Sequence, residues 1–291
     1  LVDKVRGSTK MLASDNDSAE FTAADRVASL DSDGFTLGSN DNVNGSSDTL
    51  VSWNWKAGNS SGSTNNDGAT ASTVSVNTAA GFSIVKWTGT SNTTIGHGLG
   101  QKPAMIICKS RSNASTPWLV WHQKLTGGDE EDRYIILNTS DAQSTYSNYW
   151  GTGGFTNQVF GVSANNLNNN IGDMIGYVFA EKTGYSKFGS YVGNGNADGT
   201  FVYTGFKPHF FLIKRVDSAE DWIMTDSKRG YPQSWNYVLA STSGTEAGGL
   251  PYDFLSNGVK FRGATQNVSG ATFLYMASGQ SLVGSNNIPA T

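Results

Sequence analysis

The side chains with the widest chemical scope in this sequence are aromatic. Tyr146, Tyr149 and Trp150 fall in the polar, glycine-rich stretch Ser144 to Gly154, and Tyr231 and Trp235 flank Pro232 in a comparable stretch. A loop aromatic has little core to enter, so it can stack on a sugar ring or press against a neighbouring subunit. These five residues are the candidates for ligand or subunit contact. The three histidines read differently. His97 sits between two glycines in a turn, and His209 follows Pro208 and opens an apolar strand. His122 occupies the repeat position that Asp3 and Asp226 hold elsewhere. A position that takes either His or Asp from copy to copy is a strand-end turn residue rather than a catalytic base.

The acids give no catalytic or metal-binding pattern either. Asp31-Ser32-Asp33-Gly34 opens like a calcium loop, but the later oxygen ligands and the terminal Glu are missing, and a turn accounts for it. Asp129-Glu130-Glu131-Asp132 reads as a solvated loop tip, with a weak Ca²⁺ site as the alternative. Hydrolysis of a glycosidic bond needs a flanking pair of carboxyl groups, and no spacing here marks one. Cys108 is the single cysteine, which excludes an intrachain disulfide and metal clusters built on paired cysteines. It lies in the apolar run Met105 to Lys109, where a buried thiol behaves as a small hydrophobe. The expectation is a protein without catalytic residues, metal or cofactor.

Composition narrows the class further. Charged residues make up 15% of the 291-residue chain, against about 25% in an average soluble domain. Low charge alone would suggest disorder, but 11% aromatic residues with eight tryptophans require a core or a partner. A net charge of −4 without a long basic run argues against nucleic acid and anionic membrane surfaces. No stretch reaches the roughly 18 apolar residues of a membrane span, and no secretory signal is seen. The chain opens on Leu1, which is expected of a piece of something longer.

The elements that must position these residues recur. A strand, a polar turn and a longer apolar strand run from Asp33 to Gly58, again from Thr156 to Ala180, and again from Asn257 to Ala277. Val51, Trp53 and Trp55 alternate on one face, as do Ile175, Tyr177 and Phe179. Leu1 to Gly7 parallels Ile223 to Gly230, and Lys10 to Ser14 parallels Tyr237 to Ser241. Trp87, Pro103, Lys109 and Trp118 are echoed by Tyr191, Pro208, Lys214 and Trp222. Further strands are expected at 82–87, 104–109, 118–122, 134–138, 159–162 and 174–180, and a brief helix at 19–30.

This pattern predicts an all-β chain of tandem antiparallel β-sandwich repeats, jelly-roll-like, with a β-propeller as the second choice. The expected division is a C-terminal half-repeat at 1–58, a Ser/Asn/Gly linker at 59–73, and complete repeats at 74–184 and 185–291.

Several phrases carry a family resemblance: Asp33-Gly34-Phe35-Thr36-Leu37-Gly38 with Val51 to Gly58, Gly184 to Gly195, and Phe201 to Pro208. The ending Val283 to Thr291 belongs with them. In these the chain resembles the virion-associated, tail-fibre-like proteins of tailed bacteriophages, especially marine and cyanobacterial ones. The resemblance implies concanavalin-like β-sandwiches on the exterior of a phage particle and contact with other virion proteins. It also implies homo-oligomerisation (a trimer if the protein is a fibre) and recognition of host-surface glycans. It carries no agreed binding residues. The alternatives are a capsid or tail decoration protein and, more distantly, a polysaccharide depolymerase.

Overall fold

The computed structural model describes residues 1–58, 60–164, 172–229 and 235–279. The fold is all-β, with antiparallel sheets stacked as sandwiches and no closed barrel among the described residues. In chain order the strands are β1 (Lys10–Met11), β2 (Phe21–Thr22), β3 (Val27–Leu30), β4 (Phe35–Leu37), β5 (Ser63–Asn65), β6 (Ser72–Asn77), β7 (Phe82–Gly89) and β8 (Thr93–Gly96). Then come β9 (Met105–Ser110), β10 (Leu119–His122), β11 (Arg133–Ile136), β12 (Ser144–Thr145), β13 (Val159–Val162), β14 (Gly172–Phe179), β15 (Ser186–Val192) and β16 (Phe201–Tyr203). The last are β17 (Pro208–Arg215), β18 (Ile223–Asp226), β19 (Trp235–Leu239), β20 (Ala247–Leu250), β21 (Tyr252–Leu255), β22 (Gly258–Phe261) and β23 (Thr272–Gly279).

The chain divides into two compact units: Leu1–Leu119 with Asn148–Phe179, and Val120–Ser147 with Ala180–Thr291. In the first unit the neighbouring strands run β9-β14-β7-β6-β5, opposite the pair β8–β13. β14 is central and buried, so it reads as a near-continuous apolar run, with Met174, Ile175 and Val178 wholly inaccessible. Trp87 on β7 meets Phe160 on β13 edge-on, 5.7 Å between ring centres, and so ties the two layers.

In the second unit the order β15-β23-β17-β18-β19-β20 faces β16-β22-β21. Their shared core is built from Tyr191, Phe211, Ile213, Phe273 and Tyr275 on one side and Val202, Tyr252, Phe254 and Phe261 on the other. Tyr191 stacks on Phe273 with ring centres 5.0 Å apart. The predicted repeat is present in these ladders. β14 pairs with β7 and β9 as β23 pairs with β15 and β17, and β13 pairs with β8 as β22 pairs with β16.

Four expectations need correction. Residues 19–30 form no helix; they supply β2 and β3, because Phe21, Val27 and Leu30 find ladder partners in β1 and β4. The short helix α1 lies instead at Asp41–Asn44, capped by Asn40. The stretch 59–73 contains β5 and the start of β6, and a bridge joins Thr70 to Ile95. Its Ser/Thr composition suits an edge ladder with no apolar face to bury. Val51 to Trp55 forms no strand. Its counterparts β14 and β23 each lie between two ladders, whereas this segment has neither; Trp55 meets Phe179 edge-on at 6.3 Å. Finally, the compact units do not follow the sequence repeats: 120–147 packs with the second unit although it lies within the expected repeat 74–184.

One edge differs between the units. β7 is covered by β6, but its counterpart β15 ends its sheet. Side chains occupy part of that edge. Glu181 accepts from the Phe188 N–H at 3.3 Å, Gln123 donates to the Phe188 carbonyl at 2.8 Å, and Thr200 donates to the Val192 carbonyl at 2.9 Å.

Candidate functional site

The five aromatic candidates separate. Tyr146, in the second unit, is exposed. Tyr149 and Trp150, in the first, are buried, and Trp150 packs edge-on against Phe155 at 5.8 Å. Gly161 is what lets the Trp150 backbone in, since a Cβ there would sit 2.6 Å from the Trp150 carbonyl oxygen. A ring enclosed this way has no face left for a ligand, so the contact role expected for Tyr149 and Trp150 is withdrawn. Tyr231 lies outside the described residues. Trp235 pairs through its backbone with Leu250, and its side chain lies outside them too.

The second unit instead presents an aromatic pair that the loop argument missed. On β16, Val202 points into the core, and Phe201 and Tyr203 point outward, 42% and 62% exposed. Phe201 stands opposite Lys260 and Tyr203 opposite Gly258. A Cβ on Gly258 would fall 2.9 Å from two carbons of the Phe201 ring, so the glycine lets that ring lie down on the sheet. Leu255, opposite Gly258 on β21, extends the apolar face. Ion pairs border it: Lys260 with Asp198 at 2.7 Å and Arg262 with Asp253 at 2.6 Å.

The first unit carries a polar groove of about 380 Å³ on the outer face of its large sheet. Thr64, Thr73 and Lys86 stand side by side across β5, β6 and β7, and Thr88 stands beside Asp173 in the next row. Thr88 Oγ1 is 3.4 Å from Asp173 Oδ1. Arg111 closes one end, 3.5 Å from Asp173, and is gripped by Glu20 through two bonds of 2.9 Å. Burial opposes ionisation of Glu20, but the hydrogen bonds from Arg111 and Arg6 outweigh it and hold its carboxyl below the usual range. Trp87 turns its ring to the opposite face, so the groove offers hydroxyls and charges.

Asp3, Asp226, His97 and His122 are turn and clamp parts. In each unit an arginine joins the acid three residues before it to a second acid. Arg6 binds Asp3 at 2.5 Å and Glu20 at 3.1 Å, and Arg229 binds Asp226 at 2.7 Å and Glu246 at 2.8 Å. Asp3, His122 and Asp226 all accept the backbone N–H two residues on. His122 therefore does the work of an aspartate: Nδ1 accepts from Lys124 at 3.1 Å and Nε2 faces the Tyr275 carbonyl at 3.3 Å. His97 repeats the scheme with Leu99 and Thr156. Burial lowers both imidazoles to about 4, and an Nδ1 already accepting a backbone hydrogen has no room for a proton. His209 is exposed and 3.1 Å from Ser227.

Buried Lys109 donates to Ser110, Asn113 and Thr116, and its counterpart Lys214 donates to Ser140 and Glu220. Burial lowers both amines to about 8.

Asp31 and Gly34 close a hairpin turn, with Thr36 donating to Asp31. Asp129 to Asp132 form one 3₁₀ turn that Arg133 ties down through the Gly127 and Gly128 carbonyls. Among the described residues no group of three or more His, Cys, Asp or Glu is placed to hold a metal ion.

A family model described as "Domain of unknown function (DUF7483)" matches residues 1–281. No curated protein and no solved structure matches the chain.

Proposed function

The chain belongs to the DUF7483 domain family, and we propose that this member is a non-enzymatic structural and adhesion protein of a phage virion, tail-fibre-like, that contacts host-surface glycans. The observation that carries the reading is the outward pair Phe201 and Tyr203 on β16. A ring lying on a sheet with one face bare is suited to the apolar face of a pyranose, and bordering ion pairs can hydrogen-bond its hydroxyls. The resemblance of its sequence phrases to those of tail-fibre-like proteins supports the same reading.

The test is adsorption of the purified chain to whole host cells and to their isolated envelope polysaccharide. Replacing Phe201 and Tyr203 together by Ala is expected to weaken adsorption at least tenfold without loss of fold, since both side chains lie outside the core. Wild-type protein that ignores cells and polysaccharide but binds emptied capsids would place it among decoration proteins instead. Release of reducing ends would indicate a depolymerase.

The decoration reading has its own support in the recurring contacts between sequence repeats. Trp118 Nε1 donates to the Ala13 carbonyl at 2.7 Å, and its counterpart Trp222 donates to the Ile136 carbonyl at 2.8 Å. Glu20 N–H donates to Arg111 and Gln143 N–H to Val216 in the same register. A repeat that clasps its neighbour by the same bonds each time suits a spacer.

A further inference from the structure

The groove on the first unit is separate from the aromatic pair and differs from it in chemistry, and we infer that it binds a hexuronate residue of an acidic polysaccharide. The inference rests on the reading that glycans are the ligand class, and it names the kind of sugar and the residues that would hold it.

The groove is wide, shallow and hydroxyl-lined. Three strands spaced about 4.8 Å apart and two rows about 6.7 Å apart along them give a patch of roughly monosaccharide to disaccharide size. Its floor offers Thr64, Thr73 and Thr88, each able to donate and accept. Its two cations are in different states. Arg111 is neutralised by the bidentate Glu20 carboxylate and by Asp173. The Lys86 ammonium makes no ion pair or hydrogen bond to any described residue, although Thr73 stands directly beside Lys86 on the sheet. An ammonium carried on a strand between two others, with threonines on the same face and no carboxylate of its own among the described residues, calls for an anionic group from outside. Asp173, half-exposed, can accept only from donors. A ligand must therefore bring a carboxylate for Lys86 and, a few ångströms away, hydroxyls for Asp173 and the threonines. A uronic acid carries both on one ring. A simple anion would satisfy Lys86 and be repelled by Asp173.

The experiment is isothermal titration of the whole chain with a trigalacturonate, with the same trisaccharide reduced at its carboxyl groups, and with inorganic phosphate. The trigalacturonate is expected to bind, and the reduced sugar and phosphate to bind at least tenfold more weakly. Lys86→Gln and Asp173→Asn should each weaken the trigalacturonate at least fivefold, with circular dichroism unchanged. Phe201→Ala/Tyr203→Ala should leave this binding intact. Absence of binding by the wild type, equal binding of the reduced sugar or of phosphate, or indifference to Lys86→Gln would overturn the inference. Cell adsorption that survives Lys86→Gln while trigalacturonate fails to bind would overturn the groove alone and leave the aromatic-pair reading standing.

Discussion

His97 and His122 are the two residues whose chemistry is most completely determined by their surroundings. Each uses Nδ1 to accept a backbone N–H, and each stays neutral down to about pH 4. In the unfolded chain the same rings take up a proton near 6.5. Between these values the unfolded state binds more protons, so stability is full above about pH 6.5 and falls as pH drops toward 4. Each histidine should contribute a loss of about 3 kcal/mol across that window. Urea unfolding at pH 7, 5.5 and 4 measures it, and flat midpoints would contradict the assignment. Cys108 gives a second residue-scale prediction. Burial pushes its thiol well above the ordinary range, so a thiol reagent should modify it only as fast as the chain unfolds. The sequence already showed that His122 and Asp226 share a position, because repeat alignment needs only spacing. It could not show which loop aromatics were enclosed: Tyr149 and Tyr146 sit three residues apart, yet one is 5% exposed and the other 62%. That difference depends on which backbone passes overhead, which no local pattern encodes.

Strands show the same boundary between what is local and what is not. The alternation in Phe201-Val202-Tyr203 was readable, and so was the single apolar residue in the facing Gly258-Val259-Lys260, which assigns Val202 to the inside. The partner relation between these two strands was not, since it joins residues almost sixty positions apart. Gly258→Ala should drive a methyl into the Val202 carbonyl and the Phe201 ring, costing about 1–3 kcal/mol. Thermal unfolding would measure that cost, and adsorption to polysaccharide should fall with it. The clamps give a sharper comparison. Arg6→Met leaves Asp3 enclosed without a counter-charge, while Glu20 keeps Arg111, and should cost about 3–5 kcal/mol. Arg229→Met should cost less, because Glu246 is 40% exposed and can turn to water. Val51 to Trp55 taught the converse lesson: an alternating, tryptophan-rich segment has the composition of a strand, but a strand exists only where a ladder receives it.

At the scale of the whole molecule, the repeats of the sequence and the compact units of the structure are offset. Residues 120–147 belong by sequence to one repeat, but they pack with the next, where Ser140 and Ile136 supply the acceptors for Lys214 and Trp222. Residues 1–30 do the same for the first unit through Ala13 and Glu20. Composition and spacing were enough to find the repeats, whereas the exchange of segments between them left no mark on periodicity. The fragment 185–291, cut at the sequence boundary, should therefore fail to unfold cooperatively, whereas 120–147 joined directly to 180–291 should show a cooperative transition by circular dichroism. Equal behaviour of the two would mean that the borrowed strands contribute little.

The offset also bears on how such a chain could be shuffled. A crossover at residue 184 would part Lys214 and Trp222 from the Ser140 and Ile136 carbonyls, and a newly joined neighbour would have to offer the same acceptors. Inheritance in this lineage should thus favour exchange of whole arrays, or of cassettes beginning near residue 120, over exchange of the repeats that the eye picks out.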